Sequence, residues 1–81
     1  MTTEAPKNGL HTEYYDSGQI KIARTYKNGK LEGKLSAWHK DSQLWQERNY
    51  KDGKKRGKFT VWDKNGQIIE EHYYKNGKFI D

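Results

Sequence analysis

Acid–base, metal-binding or nucleophilic chemistry would have to come from few side chains in this sequence: His11, His39 and His72, the adjacent carboxylates Glu70 and Glu71, and the serines Ser17, Ser36 and Ser42. The histidines follow no ligand spacing, so a metal centre would need ligands gathered from unrelated positions. On a strand, Glu70 and Glu71 point to opposite faces and cannot work as a pair. The serines lie in or near turn sequences and have no matched His and Asp. With no cysteine, there is no thiolate ligand, no cysteine nucleophile and no disulfide framework. No glycine introduces a helix, so none forms a phosphate loop. The reading is therefore of a non-enzyme with no catalytic residue, no metal and no cofactor.

Two other sets of side chains suit binding. Lys27, Lys51 and Lys75 recur with Lys30, Lys54 and Lys78, and Lys55, Arg56 and Lys58 thicken the middle of the row. Such cations can simply keep a thin sheet solvated, or they can steer an acidic partner. Aromatic residues recur as well. Tyr14, Trp38 and Trp62, together with Trp45 and Tyr73, would suit base stacking in a single-strand binder. The same rings are also the only large surfaces the chain has to bury.

The elements that position these residues follow from a repeat. At a constant interval of 24 residues Tyr14 aligns with Trp38 and Trp62, Gln19 with Gln43 and Gln67, Tyr26 with Tyr50 and Tyr74, and Gly29 with Gly53 and Gly77. Gly9, Gly33 and Gly57 keep the same phase, as do Ile20, Leu44 and Ile68. An interval without insertions means that one unit is stacked on itself, because a solenoid passes any change of length to its neighbours. The expected organisation is a loose N-terminal leader, residues 1–8, followed by a repeat domain, 9–81, with units 9–32, 33–56 and 57–80. The last unit stops half a rung short.

Only 31% of the 81 residues are apolar and 33% are charged, values that alone lean towards disorder. The three Trp, six Tyr and two Phe overrule this, since they fall at repeat-locked positions and bury a large area for each residue ordered. Residues 1–10 lack the apolar run of a signal peptide, and no stretch approaches the roughly 20 apolar residues of a membrane span. The expected location is the cytoplasm. A net charge of +5 favours acidic partners.

Ser17-Gly18, Asn28-Gly29, Asp52-Gly53, Asn65-Gly66 and Asn76-Gly77 mark tight reversals, because Asn, Asp and Gly accept the positive φ of hairpin turns. The repeat-bound glycines read as turn residues. Between reversals lie short segments rich in Tyr, Trp, Ile, Thr and Val, expected as strands at 10–15, 19–26, 34–39, 43–50, 58–63, 67–74 and 78–80. The predicted fold is all-β: a single antiparallel meander of about seven strands, with aromatic ladders on both faces and Tyr26, Tyr50 and Tyr74 as lateral neighbours. Ser42 replaces the glycine that Gly18 and Gly66 supply, so its hairpin is expected to be looser or of another type.

Tyr-Tyr-Asp-x-Gly-Gln-Ile-Lys at 14–21, Tyr-Lys-Asn-Gly-Lys-Leu-x-Gly at 26–33 and Tyr74-Lys-Asn-Gly-Lys78 together resemble the MORN-repeat variant found in bacterial proteins, many of them labelled YwqK-like antitoxins. The resemblance covers nearly everything from Gly9 onward. It implies β-hairpin arrays used for protein contacts, with membrane-lipid association proposed for classical MORN proteins. The function expected is recognition of another protein with an acidic surface, as an antitoxin or immunity protein that occludes its partner. Trp45, Trp62 and Tyr73 would be its anchors, and Lys51, Lys54, Lys55 and Arg56 would steer the partner. A basic surface speaks against neutralising a nuclease by mimicry of nucleic acid. An electrostatic binder of anionic lipid or nucleic acid is the second reading, and a homodimer through the open sheet edges is a further expectation.

Overall fold

Two kinds of turn alternate along the chain, and their backbone requirements fix where each strand begins. At Asn28-Gly29, Asp52-Gly53 and Asn76-Gly77 both residues have positive φ, near 52° for the first and 80–84° for the second. This is the two-residue type I′ turn, whose twist matches that of the strands it joins. The other kind is a three-residue loop. Gly18 N–H donates to the Tyr15 carbonyl at 2.9 Å, and Tyr15 N–H donates to Gln19 at 2.8 Å. The third loop residue, Gly18, has φ 93°. His39 to Gln43 and Asp63 to Gln67 repeat both bonds. Ser42 thus makes the same hairpin as its glycine counterparts, neither looser nor of another type, and holds φ at 74° to do so.

The structure, a computed structural model, describes residues 8–80. The expected leader lies outside these residues except for Asn8. The strands are β1 (Gly9–Tyr14), β2 (Ile20–Lys27), β3 (Lys30–Leu31), β4 (Gly33–Trp38), β5 (Leu44–Lys51), β6 (Lys54–Lys55), β7 (Gly57–Trp62), β8 (Ile68–Lys75) and β9 (Lys78–Phe79). All belong to one antiparallel sheet in the order β1-β2-β4-β5-β7-β8-β9, with β3 on β2 and β6 on β5. The chain is a meander without crossovers, and its thinnest dimension is 16 Å.

The two strands beyond the expected seven come from a kink. Tyr26 faces Leu31, whereas Ala23 faces Ser36, so three steps along β2 match five along its neighbour. Tyr50 facing Lys55 and Glu47 facing Thr60 repeat the offset. The two extra residues are absorbed where Gly33 and Gly57 take φ of 84° and 78°. These glycines are therefore bulge residues at strand starts, not turn residues.

Alternation sorts the side chains. Tyr50 and Tyr74 lie on one face, opposite Gly33 and Gly57. Phe59 sits between them, with its ring 5.7 Å from that of Tyr50 and 4.6 Å from that of Tyr74, and Phe79 continues the row at 5.7 Å. At 8% exposed, Phe59 is the largest buried residue of a very small core that also holds Ala37. The expected lateral neighbours thus share face and register, but Phe59 intervenes between Tyr50 and Tyr74.

The opposite face has no matching aromatic ladder, contrary to expectation. Its strand centres carry ion pairs, Lys34 with Glu47 at 3.7 Å and Lys58 with Glu71 at 3.2 Å. Thr60 is buried on that face, directly opposite both Glu47 and Glu71. The aromatics of that parity, Trp45 and Tyr73, stand towards strand ends. An L-residue in the left-handed region costs about 1 kcal/mol, partly offset by the greater freedom of unfolded glycine. Ser42→Gly is expected to raise stability by about 0.5–1 kcal/mol, read as a higher thermal midpoint, whereas Gly66→Ser should lower it by a similar amount.

Candidate partner-binding surface

The type I′ turns project as three lips along one border of the sheet, and backbone bonds tie each lip to the one before it. Gly53 N–H donates to the Leu31 carbonyl at 2.8 Å, and Gly77 N–H to that of Lys55 at 2.9 Å. Glycine is needed there for φ, whereas the space would admit a Cβ in ordinary contact. A Cβ on Gly53 would lie 3.6 Å from the Lys30 Cβ, and one on Gly77 would lie 3.9 Å from that of Lys54. Each lysine stem lies beside the next glycine, so the cations form a continuous row.

Side chains reinforce the first two steps only. Asn28 N–H donates to Asn8 Oδ1 and Asp52 N–H to Glu32 Oε1, both at 3.1 Å. Glu32 also pairs with Lys51 at 3.4 Å. The bond from Asp52 and the nearby Lys51 hold the Glu32 carboxyl below its ordinary value of 4.5. Its contribution to stability is therefore complete above pH 4.5 and is lost as pH falls through the lowered folded value. At the corresponding place in the third step stands Arg56, which has no acceptor to offer Asn76.

Of the seven residues expected to bind a partner, four lie at the lips. Lys51, Lys54 and Arg56 are exposed there. Lys55 is directed elsewhere: its Nζ sits 4.9 Å from the Tyr74 ring centre and 5.7 Å from that of Phe59, on the aromatic face. It occupies the repeat position of Leu31 and Phe79, and its ammonium lies over rings that those apolar residues would otherwise meet. Tyr73, about one-third exposed, faces Lys58 from β8. Lys58 is bonded to Glu71, which raises its pKa above 10.5. That contribution holds below pH 10.5 and fades as pH rises through the raised value.

Trp45 and Trp62 lie at the other border. Six residues of strand separate Trp45 from Lys51, about 20 Å at 3.3 Å each. The structure does not bring the seven residues into one site. Trp45 packs on His39 with ring centres 5.7 Å apart and lines an open cleft of about 470 Å³ with Tyr15, His39, Lys40, Asp41 and Lys64. Trp62 is half-buried and borders Leu44 in a neighbouring cleft.

The residues that organise this border escaped the sequence reading. Tyr15 O–H donates to the Trp38 carbonyl at 2.6 Å, and His39 Nε2 lies 3.4 Å from the Trp62 carbonyl. Tyr15, His39 and Asp63 are 24 residues apart, and that phase was the available signal. Among the described residues Asp63 meets no carbonyl of a following rung, and its Oδ1 accepts from the N–H groups of Asn65 and Gln67 within its own turn. Each histidine packs on a ring: His11 on Tyr26, His39 on Trp45 and His72 on Phe79. Glu70 and Glu71 face apart, Glu71 towards Lys58 and Glu70 beside Arg48 and His72 in a small cleft on the aromatic face. Among the described residues no three His, Asp or Glu side chains converge as a metal site would require.

Arg56→Glu should supply the missing acceptor for Asn76 N–H and a partner for Lys75. The expected result is a rise of about 2–4 °C in thermal midpoint at neutral pH. The gain should vanish in acid once that carboxylate is protonated, which separates it from a general effect of lower net charge.

The MORN repeat variant family matches residues 7–28, 29–52 and 55–76. No curated protein and no solved structure matches the chain. The three matched segments cover most of the sequence, and the lateral ties between successive lips recur at the same spacing. Repeats of this kind are non-catalytic binding modules, and the chain belongs to the MORN repeat variant family.

Proposed function

We propose that this chain is a non-enzymatic protein-binding module of the cytoplasm whose lysine lips recognise an acidic surface on another protein. In the finer reading it acts as an antitoxin or immunity protein that occludes that partner. The observation that carries the proposal is the recurrence of exposed lysines on successive lips. Lys30 and Lys54 stand beside the glycines of the following lips, and Lys27, Lys51, Lys75 and Lys78 flank the same turns, with Glu32 and Asp52 as local counter-charges among the described residues. A preformed array of one sign raises the encounter rate with an opposite surface and fixes its orientation. Solvation of the sheet needs no such order.

Affinity capture from the source cell, with recovery of one acidic protein, tests this reading. Lys54→Glu with Lys78→Glu should weaken the captured complex at least tenfold and leave the thermal midpoint within a few degrees. A contact that also uses Trp45, Trp62 or Tyr73 should largely survive a rise from about 0.05 M to about 0.5 M salt. Anionic vesicles or single-stranded nucleic acid, if bound instead, should be released over that range. Capture of no protein together with salt-sensitive vesicle binding would overturn the proposal in favour of the lipid reading.

A further inference from the structure

Among the described residues, seven of the nine exposed large apolar side chains lie on the first strand or the last rung: Leu10 and Tyr14 at one end, Ile68, Ile69, Tyr73, Phe79 and Ile80 at the other. The repeat explains this crowding. Inside the sheet, β4 docks on β2 with Ile22 facing Ala37 and Ala23 facing Ser36. In the next unit β7 docks on β5 with Gln46 facing Val61 and Glu47 facing Thr60. Each docking strand also brings a tryptophan, Trp38 bordering Ile20 and Trp62 bordering Leu44. The equivalent receptor on β8 is Glu70 and Glu71, with Ile68 awaiting an aromatic ring. Among the described residues β8 is paired on that side only by Lys78 and Phe79, which face Lys75 and Tyr74, and by the bond from Ile80 N–H to the Tyr73 carbonyl. Its edge over Ile68–His72 is open, and Ile68 is 55% exposed against 41% for Ile20.

A second copy of this chain is the obvious occupant, since β1 is the repeat equivalent of β4 and β7 and would bring Tyr14 over Ile68. Two charges oppose it. In the internal register Glu13 of the added strand, which pairs with Arg24 in its own sheet, would have to keep that pair while standing opposite Glu70, and like charges directly across a strand pair destabilise it. Asp63, where Tyr15 and His39 meet the carbonyls of Trp38 and Trp62, would present a carboxylate to the carbonyl of Tyr14. The edge is thus built to accept a strand while rejecting its own. This is how an open sheet end avoids head-to-tail growth into fibres.

We infer that the Ile68–His72 edge of β8 is a docking site for an extended segment of a different protein, added antiparallel as a further strand. The segment carries a lysine or arginine opposite Glu70 and an aromatic residue over Ile68. Main-chain bonds supply the binding, and the side chains facing Glu70 and Ile68 supply the selection. This site is distinct from the lysine lips and does not depend on the partner proposed for them.

The hexapeptide Gly-Lys-Phe-Thr-Lys-Trp, which is the β7 sequence with lysine at the Val61 position, is a suitable probe against the full-length chain in amide-resolved NMR. It is expected to shift the amides of Ile68–His72 and slow their exchange. A glutamate in place of its second lysine should weaken binding at least tenfold, and Glu70→Lys in the protein should reverse that order. N-methylation of alternate peptide amides should abolish binding in one phase and spare it in the other, as edge pairing requires. Shifts confined to other strands, no shifts at about 1 mM peptide, or an order unchanged by Glu70→Lys would overturn the inference. The Lys54→Glu, Lys78→Glu protein should titrate with the peptide like the wild type, so failure here and failure at the lips are read separately.

Discussion

A one-layer sheet stands or falls on lateral register. In a strand the side-chain period is two, so a slip of one residue between neighbours would turn Phe59 and Tyr74 to the ion-paired face and bring Lys58 and Glu71 among the rings. Among the described residues no second layer exists to correct such a slip. The molecule instead pins each junction at both borders, through the glycine N–H of one lip to the carbonyl of the previous one, and through Tyr15 and His39 to the carbonyls of Trp38 and Trp62. Between these pins the bulges at Gly33 and Gly57 take up two residues each, so the interval of 24 residues closes without residual offset.

That constraint explains the division of labour between faces. Stabilisation from burial must come from one side of a ribbon 16 Å thick at most. The rings are concentrated there: Tyr50, Phe59, Tyr74 and Phe79 form one run of contacts, to which Arg48 and Lys55 add cations over the ring faces. The other face remains in water and is held by cross-strand ion pairs, which are weak individually but favour the correct register over a slipped one. A low apolar fraction is thereby compatible with order.

Much of this was legible in the chain. The interval between like residues gave the stacking, Asn-Gly and Asp-Gly gave the tight reversals but not their type, since Asn65-Gly66 closes a three-residue loop, and β-rich segments gave seven strand positions close to those observed. The bulges were not legible, because a glycine with positive φ reads the same in a turn as in a kinked strand start; only the pairing of Ala23 with Ser36 tells them apart. Nor was the sidedness of the aromatics, since parity drifts across each bulge and tryptophans near strand ends mimic a second ladder. The site was less legible still. Lys55 read as a steering charge by composition, yet it lies at a position that is apolar in the neighbouring units, and position within the unit, not residue type, decides where its ammonium goes.

The most informative residues are those where one unit departs from the others. Lys55 stands where Leu31 and Phe79 pack, Arg56 where Glu32 caps a turn, Asp63 where Tyr15 and His39 bind a carbonyl, and Glu70 where Ile22 and Gln46 receive a strand. Lys55 exchanges an apolar contact for a cation over the Tyr74 ring, and Asp63 a lateral bond for two within its own turn. Arg56 gives up the cap with no evident gain, as is expected where a surface serves another purpose. Lys55 and Arg56 lie beside the third lip, Asp63 at the opposite border and Glu70 on the edge of β8 between them. Two of the four, Asp63 and Glu70, belong to the third unit and stand where a further strand would meet β8, whereas Lys55 and Arg56 close the second.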